Sequence, residues 1–503
     1  MDTSYDVVII GSGLGGLVCG AILAKEGQKV LILERNKQIG GTLQTFVRKR
    51  VIFDSGVHYV GGLEEGQNLY QFFKYLGIMD KLKIRKMDLD SFDTIIFEGD
   101  PVEYKYAQGY DRFIKVLSAQ FPGEEQAIRN YCDAIRNVCA KFPMYNLRTG
   151  SLTEKIDALE TDAKTYIETF TTNKKLQNVL AGTNLLYAGE AEKTPFYVHA
   201  LVVNSYIESS YKFLDGGSQI GKWLAREIIS RGGKIIKHAE VTRIVEENGS
   251  VTHVEVNGIE KYFGKTFISN IHPQKTLELT NSDKIKKVYR SRIKSLENSV
   301  SAFALNIVLK RNTVPYINKN FYVFKELDVW DVASHTEETW PKGYALFYTP
   351  ARDNEEYADA VTLMAYMHFH EVEQWKDTFN TVAKESTRGE AYEAFKKEKA
   401  EKLLNIAYDR FPELKDAIDE YYVSTPLTLR DYVGSDDGSL YGITKDFRDP
   451  MKTFISARTK IPNLLLTGQN LNLHGVLGVT VSGVLTCSQL IGSDYLIEKI
   501  RNA

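Results

Sequence analysis

The sequence predicts an α/β protein in which a parallel, helix-flanked sheet is assembled from both ends of the chain and interrupted by a large α+β insertion. Three segments carry this prediction. The first is YDVVIIGSGLGGL, an apolar run from Tyr5 to Ile10 that breaks at Gly11, Gly13 and Gly16; VLILE follows, ending on Glu34. The second is RNKQIGGTLQTF, with a further glycine pair at Gly40 and Gly41. The third spans residues 461–492, IPNLLLTGQNLNLHGVLGVTVSGVLTCSQLIG, and reads as a buried strand, a glycine break, a polar loop and a helix rich in small residues.

In the first segment, strand, glycines, helix, second strand and acid occur in the order of a dinucleotide-binding loop. Gly11 permits the tight turn, Gly13 lets backbone approach a pyrophosphate, and Gly16 lets the helix pack closely on the sheet. Leu14 and Gly15 stand at the helix N-terminus, whose unpaired amides and partial positive charge face phosphates. Glu34, followed by Arg35, is placed to accept hydrogen bonds from the adenosine ribose and to repel a phosphate there.

The second glycine pair discriminates between cofactors. A simple nicotinamide domain rarely needs it, whereas a cofactor extended across two loops does, so Gly40, Gly41 and the adjacent Thr42 favour FAD over NAD. Seen alone, the pair also reads as an ordinary glycine turn. The third segment reads as another contact with the same cofactor, made by Gly468, Gln469, Asn470, Gly478 and Val479, with Gly475 and Gly483 keeping the last helix near it.

Between these ends, FLDGGSQIGKWLAREIISRGGKIIKHAEVTRIVEENGSVTHVEVNG predicts a glycine turn, a helix, a strand holding Ile235 and Ile236, a strand over Val241–Glu246 and its hairpin partner. Val241 is placed against the cofactor, and FISNIHP closes the unit. Ile220, Leu224, Ile228 and Ile229 recur at helical spacing, which reads as core. The fold class is therefore a two-dinucleotide-binding, Rossmann-like FAD/NAD(P)-binding domain with an inserted α+β substrate domain. Residues 1–75, 213–275 and 452–503 form the discontinuous first domain; 76–212 and 276–451 form the second. The first insertion reads as helical around 110–205. The second mixes strands at SAFALNIVLK and AVTLMAYMHF with a helical charged run near 384–408. The chain's 29 tyrosines and 24 phenylalanines suit an apolar tunnel and equally a plain core.

Composition narrows the function classes. With 503 residues, 43% hydrophobic and 25% charged, the chain is long enough for two packed domains and too apolar for a disordered one. A net charge of −2 offers no basic field, which argues against a nucleic-acid partner. Cys19, Cys132, Cys139 and Cys487 show no metal-ligand spacing and read as buried thiols of a reducing compartment. MDTSY leaves no room for a signal sequence before the first strand, and no apolar run is long enough to span a bilayer. The expectation is a cytoplasmic protein whose membrane contact, if any, is peripheral and on the cytoplasmic face; its oligomeric state is not readable.

These blocks together resemble the phytoene desaturase, carotenoid isomerase and retinol saturase group of flavoproteins, from first strand to last helix. FDSGVHYVGGLEEG (Phe53–Gly66), TPFYVHALVVNSYIESSYKFLDGG (Thr194–Gly217) and TGQN are closest to the saturase branch, and TPLTLRDYVGSDDGSLYGI (Thr425–Ile443) resembles the group's late substrate-side motif. Two departures stand out: Asn470 where the group commonly has an acid, and Thr42 where many members carry arginine, with Arg48, Lys49 and Arg50 nearby.

The resemblance implies an FAD-dependent oxidoreductase that saturates or isomerises a double bond of a retinoid- or carotenoid-like lipid, with NAD(P)H or another reductant as donor. A phytoene-type desaturase and a non-catalytic prenyl-binding protein of the same architecture are the alternatives. The flavin carries the hard step, so the protein need only hold a polyene against it, exclude water and provide a proton. No metal is implied. His199, in the saturase-like segment, is the first candidate proton donor and His58 the second, with His272 and His474 in other matched motifs and Tyr59 and Tyr197 adjacent. Each histidine alone also reads as a hydrogen-bonded structural residue.

Overall fold

In the computed structural model, which describes residues 4–381 and 386–503, the strand Ser4–Ile10 lies at the middle of a mixed sheet. Val30–Leu33 pairs with it in parallel on one side and Glu260–Ser269 in parallel on the other; Lys234–Ile236 extends the sheet beyond Val30–Leu33. All four residues of Val30–Leu33 are buried, as in a strand covered on both faces. The antiparallel strands Ser250–Val256 and Val241–Glu247 occupy the far edge, and Leu464–Leu466 returns from the chain's end to pair with Phe267–Ser269.

The helix Leu14–Lys25 connects the first two strands and is buried from Leu14 to Ala24, so it is apolar on every side. Burial of each of its large side chains, such as Leu17, Ile22 and Leu23, contributes roughly 1.5–3 kcal/mol. Helices Ser218–Ser230 and Gly475–Ile491 pack against it. Gly483 sits at that contact: a Cβ there would lie 2.7 Å from Val18 Cγ1. Its small size therefore serves helix packing rather than the cofactor.

A second sheet runs in the order Ile418–Ser424, Ser301–Leu309, Ala358–Met367, Gly343–Pro350, Asn320–Phe324, Asp93–Phe97 and Tyr104–Tyr106. Only the Asn320–Phe324 and Asp93–Phe97 pairing is parallel; the other neighbours are antiparallel. Helices Tyr110–Gln120, Glu125–Ala140 and Phe196–Glu208 build an aromatic-rich core against it. The charged run expected near 384–408 forms the helix Glu390–Arg410, and residues 382–385 lie outside the described residues. A small sheet of Val60–Gly61, Ser210–Phe213 and Ile84–Lys86 joins the segments between the two large sheets.

All four cysteines are free and buried. Among the described residues, no helix is long and apolar enough to cross a membrane. The whole is the α/β arrangement that the glycine segments predict.

Candidate active site

Three loops meet where the central strands end. Gly11, at φ +89°, turns the chain out of the first strand, a conformation in which a side chain would be strained. The amide of Gly40 donates to the Ser12 carbonyl at 3.0 Å, and Gly13 bridges Gly40 in parallel. From the other end of the chain, Gly468 approaches so closely that a Cβ on Gly15 would lie 3.0 Å from its Cα and N. Asn270 fills the space between these loops: added Cβ atoms on Gly13, Gly15 and Gly468 would all come within 3 Å of its side-chain amide. The two extremities of the polypeptide thus converge on one place.

Glu34 is buried at the rim. Its Oε2 accepts from the Ser12 amide at 3.0 Å and Ser12 Oγ at 2.5 Å, and its Oε1 accepts from the Asn36 amide at 2.8 Å. Internal donors therefore fix the carboxylate, as a group does that must hold a precise orientation toward a ribose. Arg35 and Asn36 reach across to the carbonyls of Asp431 and Tyr432 at 3.1 and 3.0 Å, tying the rim to the last turn of the helix Pro426–Val433. Asp431 is anchored in turn by Arg388 and Arg430 at 2.5 and 2.7 Å.

The loops enclose a cavity of about 560 Å3, within the size range of cofactor pockets. Gly11, Gly13, Leu14, Gly15, Glu34, Arg35, Gly40, Gly41, Thr42, Val241, Gly468, Gln469, Asn470 and Val479 all line it. Gly16 and Gly478 do not. A Cβ on Gly16 would lie 2.3 Å from the Gly11 carbonyl, so Gly16 allows the turn to close on the helix. Gly478 presses on the Leu473 backbone and faces a different pocket. Asn470, at the position of the missing acid, spends its Oδ1 on the Ile443 amide at 3.0 Å. Arg48, Lys49 and Arg50 sit at the turn of the hairpin Thr45–Asp54, with Lys49 paired to Asp419 and Glu420, and are not on the cavity wall.

Residues present in the cavity suit an extended polar-to-apolar ligand such as FAD. Ser435 and Ser439 line it with buried hydroxyls that have no partner among the described residues, while Gly40, Gly41 and Gly468 bring bare backbone to its surface. At the opposite end the wall becomes apolar, formed by Met364, Leu440 and Tyr441. Tyr441 Oη donates to the Leu185 carbonyl at 2.7 Å, and its ring packs 4.5 Å from that of His474, so its orientation is fixed.

The candidate histidines are elsewhere or uncharged. His199 is fully buried and does not line the cavity; its Nε2 and Nδ1 lie 2.7 and 2.8 Å from the hydroxyls of Tyr131 and Tyr187. Burial pulls its pKa down to about 3. His58 stacks on Phe347 at 4.2 Å, and burial, assisted by nearby Lys212, lowers it to about 4. His474 is held at about 4 by burial, and His272, which does line the cavity, is also lowered by burial. None carries a spare proton at neutral pH.

A different cluster does. Asp93, at the start of a second-sheet strand, is fully buried; its Oδ2 accepts from Tyr59 Oη at 2.7 Å and its Oδ1 from Asn320 Nδ2 at 2.9 Å. Tyr59 Oη also lies 2.6 Å from Tyr322 Oη. Burial raises Asp93 to about 7, and burial lowers Lys212, its charged neighbour, to about 7. Tyr59 packs on Tyr206 in the same aromatic core that Met364 and Tyr441 touch. Sequence reasoning missed Asp93, Lys212, Asn270, Ser435 and Ser439, none of which stands in a spacing that marks it; a lone acid inside FDTIIF was the one available signal.

Comparison with known proteins fits this geometry. A family model for an NAD(P)-binding Rossmann-like domain matches residues 9–76. Human all-trans-retinol 13,14-reductase is 27% identical, with 99% of this chain and 87% of the reductase aligned. Prolycopene isomerase 1 of an Oncidium hybrid is 25% identical over 98% of this chain and 85% of its own length. Putrescine oxidase, solved with putrescine bound, superposes with a TM-score of 0.65 at 13% identity, covering 97% of this chain and 99% of the oxidase. The last likeness shows the fold. The first two bear out, along the full chain, the resemblance to the retinol saturase and carotenoid isomerase group.

Proposed function

We propose that this relative of the retinol saturases and carotenoid isomerases is an FAD-dependent oxidoreductase that saturates or isomerises a double bond in a retinoid- or carotenoid-like lipid. The observation that carries the reading is a single cavity that begins at the dinucleotide loops and ends in the apolar wall of Met364, Leu440 and Tyr441. Bound FAD supplies hydride chemistry at its ring system. The glycine loops, Glu34, Ser435 and Ser439 hold the cofactor's polar groups, and the apolar wall orients a polyene and keeps water out.

The division of labour follows the two sheets. Residues 1–75, 213–275 and 452–503 hold the cofactor, and residues 76–212 and 276–451 hold the substrate and add the helix end at Asp431 to the rim. The proton for a saturation step is assigned to Asp93 with Tyr59, which lie off the cavity wall in the aromatic core that Met364 and Tyr441 touch, in preference to His199 and His58, because Asp93 alone among these is raised by burial to about 7. NAD(P)H or another small reductant is assigned as the electron donor.

Purified protein is expected to be yellow. Anaerobic reduction followed by a panel of retinoids and carotenoids should restore the oxidised flavin spectrum with one lipid class. The lipid that reoxidises the flavin gains two hydrogens and is saturated; isomerisation instead leaves both the lipid mass and the flavin spectrum unchanged, and desaturation removes two hydrogens from a lipid offered to the oxidised flavin, which it bleaches. A protein that cannot be reconstituted with FAD yet retains prenyl chains would replace the reading with that of a lipid carrier.

A further inference from the structure

The helix Gly475–Ile491 separates two cavities. Val476 and Val479 face the one described above, whereas Leu477, Val481 and Leu485, on the opposite side of the same helix, line a second pocket of about 360 Å3. Phe142, Tyr145, Tyr197 and Leu201 of the helical insertion form the facing wall. A small cavity of about 20 Å3, the room of roughly one water, shares Tyr441 and Gln469 with the first cavity and Lys445 and Leu473 with the second. The second pocket is therefore a neighbour of the first and a separate cavity.

Its lining is apolar and one-signed. Among the described residues no aspartate or glutamate lines it, but Arg148, Lys155, Lys445 and Arg458 do, in a chain whose net charge is −2. Arg148 pairs with Glu154 at 2.7 Å. No ion pair is found for the other three among the described residues. Lys445 Nζ is held instead by the carbonyls of Thr453, Asn470 and Leu471 at 3.1–3.3 Å, Arg458 by Gln489 at 2.7 Å, and Lys155 stands 5.4 Å from the centre of the Phe142 ring. Lys155, half-buried against the Phe142 ring, is a cation short of a counter-charge, and an uncovered apolar trough is unfavourable too. One kind of ligand relieves both.

We propose that this pocket binds a single-chain anionic amphiphile of the fatty-acid class, its chain along Leu477, Val481 and Leu485 and its carboxylate on Lys155, the lining cation that has neither an ion pair nor a hydrogen bond among the described residues. The ligand is distinct from the lipid that meets the cofactor, and the site stands whether or not that reading of the first cavity holds.

The test titrates the purified, flavin-loaded full chain with palmitate and with methyl palmitate, read by calorimetry and native mass spectrometry. One palmitate should bind per chain, with the methyl ester weaker by about tenfold or more for want of the charged hydrogen bonds. Leu485→Trp, which fills the trough, and Lys155→Met, at a half-exposed position where folding is not at stake, should each weaken palmitate by about tenfold while flavin absorbance is unchanged. Equal affinity for acid and ester, or affinity unaltered in both variants, overturns the proposal. So does a protein that ignores palmitate and binds only vesicles of anionic phospholipid, which would make this face a membrane contact.

Discussion

At one end of the cavity the wall is backbone, supplied by glycine loops that meet within van der Waals distance; at the other it is side chains, supplied by a different sheet and a separate stretch of sequence. The loop end tolerates almost no added atom, because Gly13, Gly15, Gly41 and Gly468 crowd around Asn270 and one another. The apolar end is built of Met, Leu and Tyr that differ little from core residues. The contrast teaches that binding of the cofactor is set by what is missing from the chain, and handling of the substrate by what is added to it.

The contrast is sharpest at Gly15. Gly15→Val places carbon where Asn270 Oδ1 and the Gly468 backbone already stand, at 2.6 and 3.0 Å from the new Cβ, so the three loops separate. Flavin content of the purified variant, read from its visible absorbance, should fall by roughly a hundredfold, the scale of a few kcal/mol of overpacking. A fully yellow variant would show that the loop end is less exacting than its geometry.

Asp93→Asn probes the core behind the other end. It preserves the shape and the Tyr59 contact but removes a group held near pH 7, so flavin content should stay while turnover falls by about a hundredfold, typical of a lost general acid. The wild-type rate should fall as pH rises through about 7 and Asp93 loses its proton, and this limb should vanish in the variant. A pH profile unmoved by the substitution would remove Asp93 from the proton path.

His199 belongs to the framework of the apolar end, and its signature is stability. Its pKa is lowered from 6.5 to about 3, so the folded state holds it neutral while the unfolded chain takes up a proton below pH 6.5. Stability is therefore lost as pH falls through that window. Asp54 and Asp93, raised by burial to about 7, act in the opposite sense, being relieved as pH falls. The comparison with His199→Gln isolates the histidine: between pH 7 and pH 5 the wild type should lose roughly 2 kcal/mol more than the variant in denaturant unfolding. Parallel pH curves would show that His199 titrates normally.

The smallest effect is expected at Glu34. Glu34→Gln turns an amide N–H2 toward the donors of Ser12 or Asn36, breaking one charge-assisted bond and releasing the ribose-side orientation. FAD affinity, measured by fluorescence quenching on reconstitution, should weaken by about tenfold, the equivalent of one such bond. No change would mean the carboxylate serves the loop alone.

How much of this was legible follows the same contrast. The strand–glycine–helix order at Tyr5–Gly16, the acid at Glu34 and the glycine pair at Gly40 leave marks because turns and close approaches exclude side chains, and Gly468 and Val479 were found by the same logic. Gly16, Gly478 and Gly483 carried the same mark yet serve packing, since a close approach between helices selects small residues as firmly as a cofactor does. His199 attracted attention through its motif, and its motif could not reveal that both ring nitrogens face tyrosine hydroxyls in a core.

The sequence by itself determined the α/β fold, the polarity of the cofactor loops and the membership of both chain ends in one sheet, because period, glycine spacing and apolar runs are local properties that backbone sterics read directly. Only the tertiary structure decided that Tyr59, bonded to Asp93, meets Tyr322 across more than two hundred residues, that Asn270 wedges the loops, and that one helix has a cavity on each side. The physical reason is that proton affinity and pocket shape depend on how much water a group has lost and to which neighbours, and those are fixed when distant segments pack.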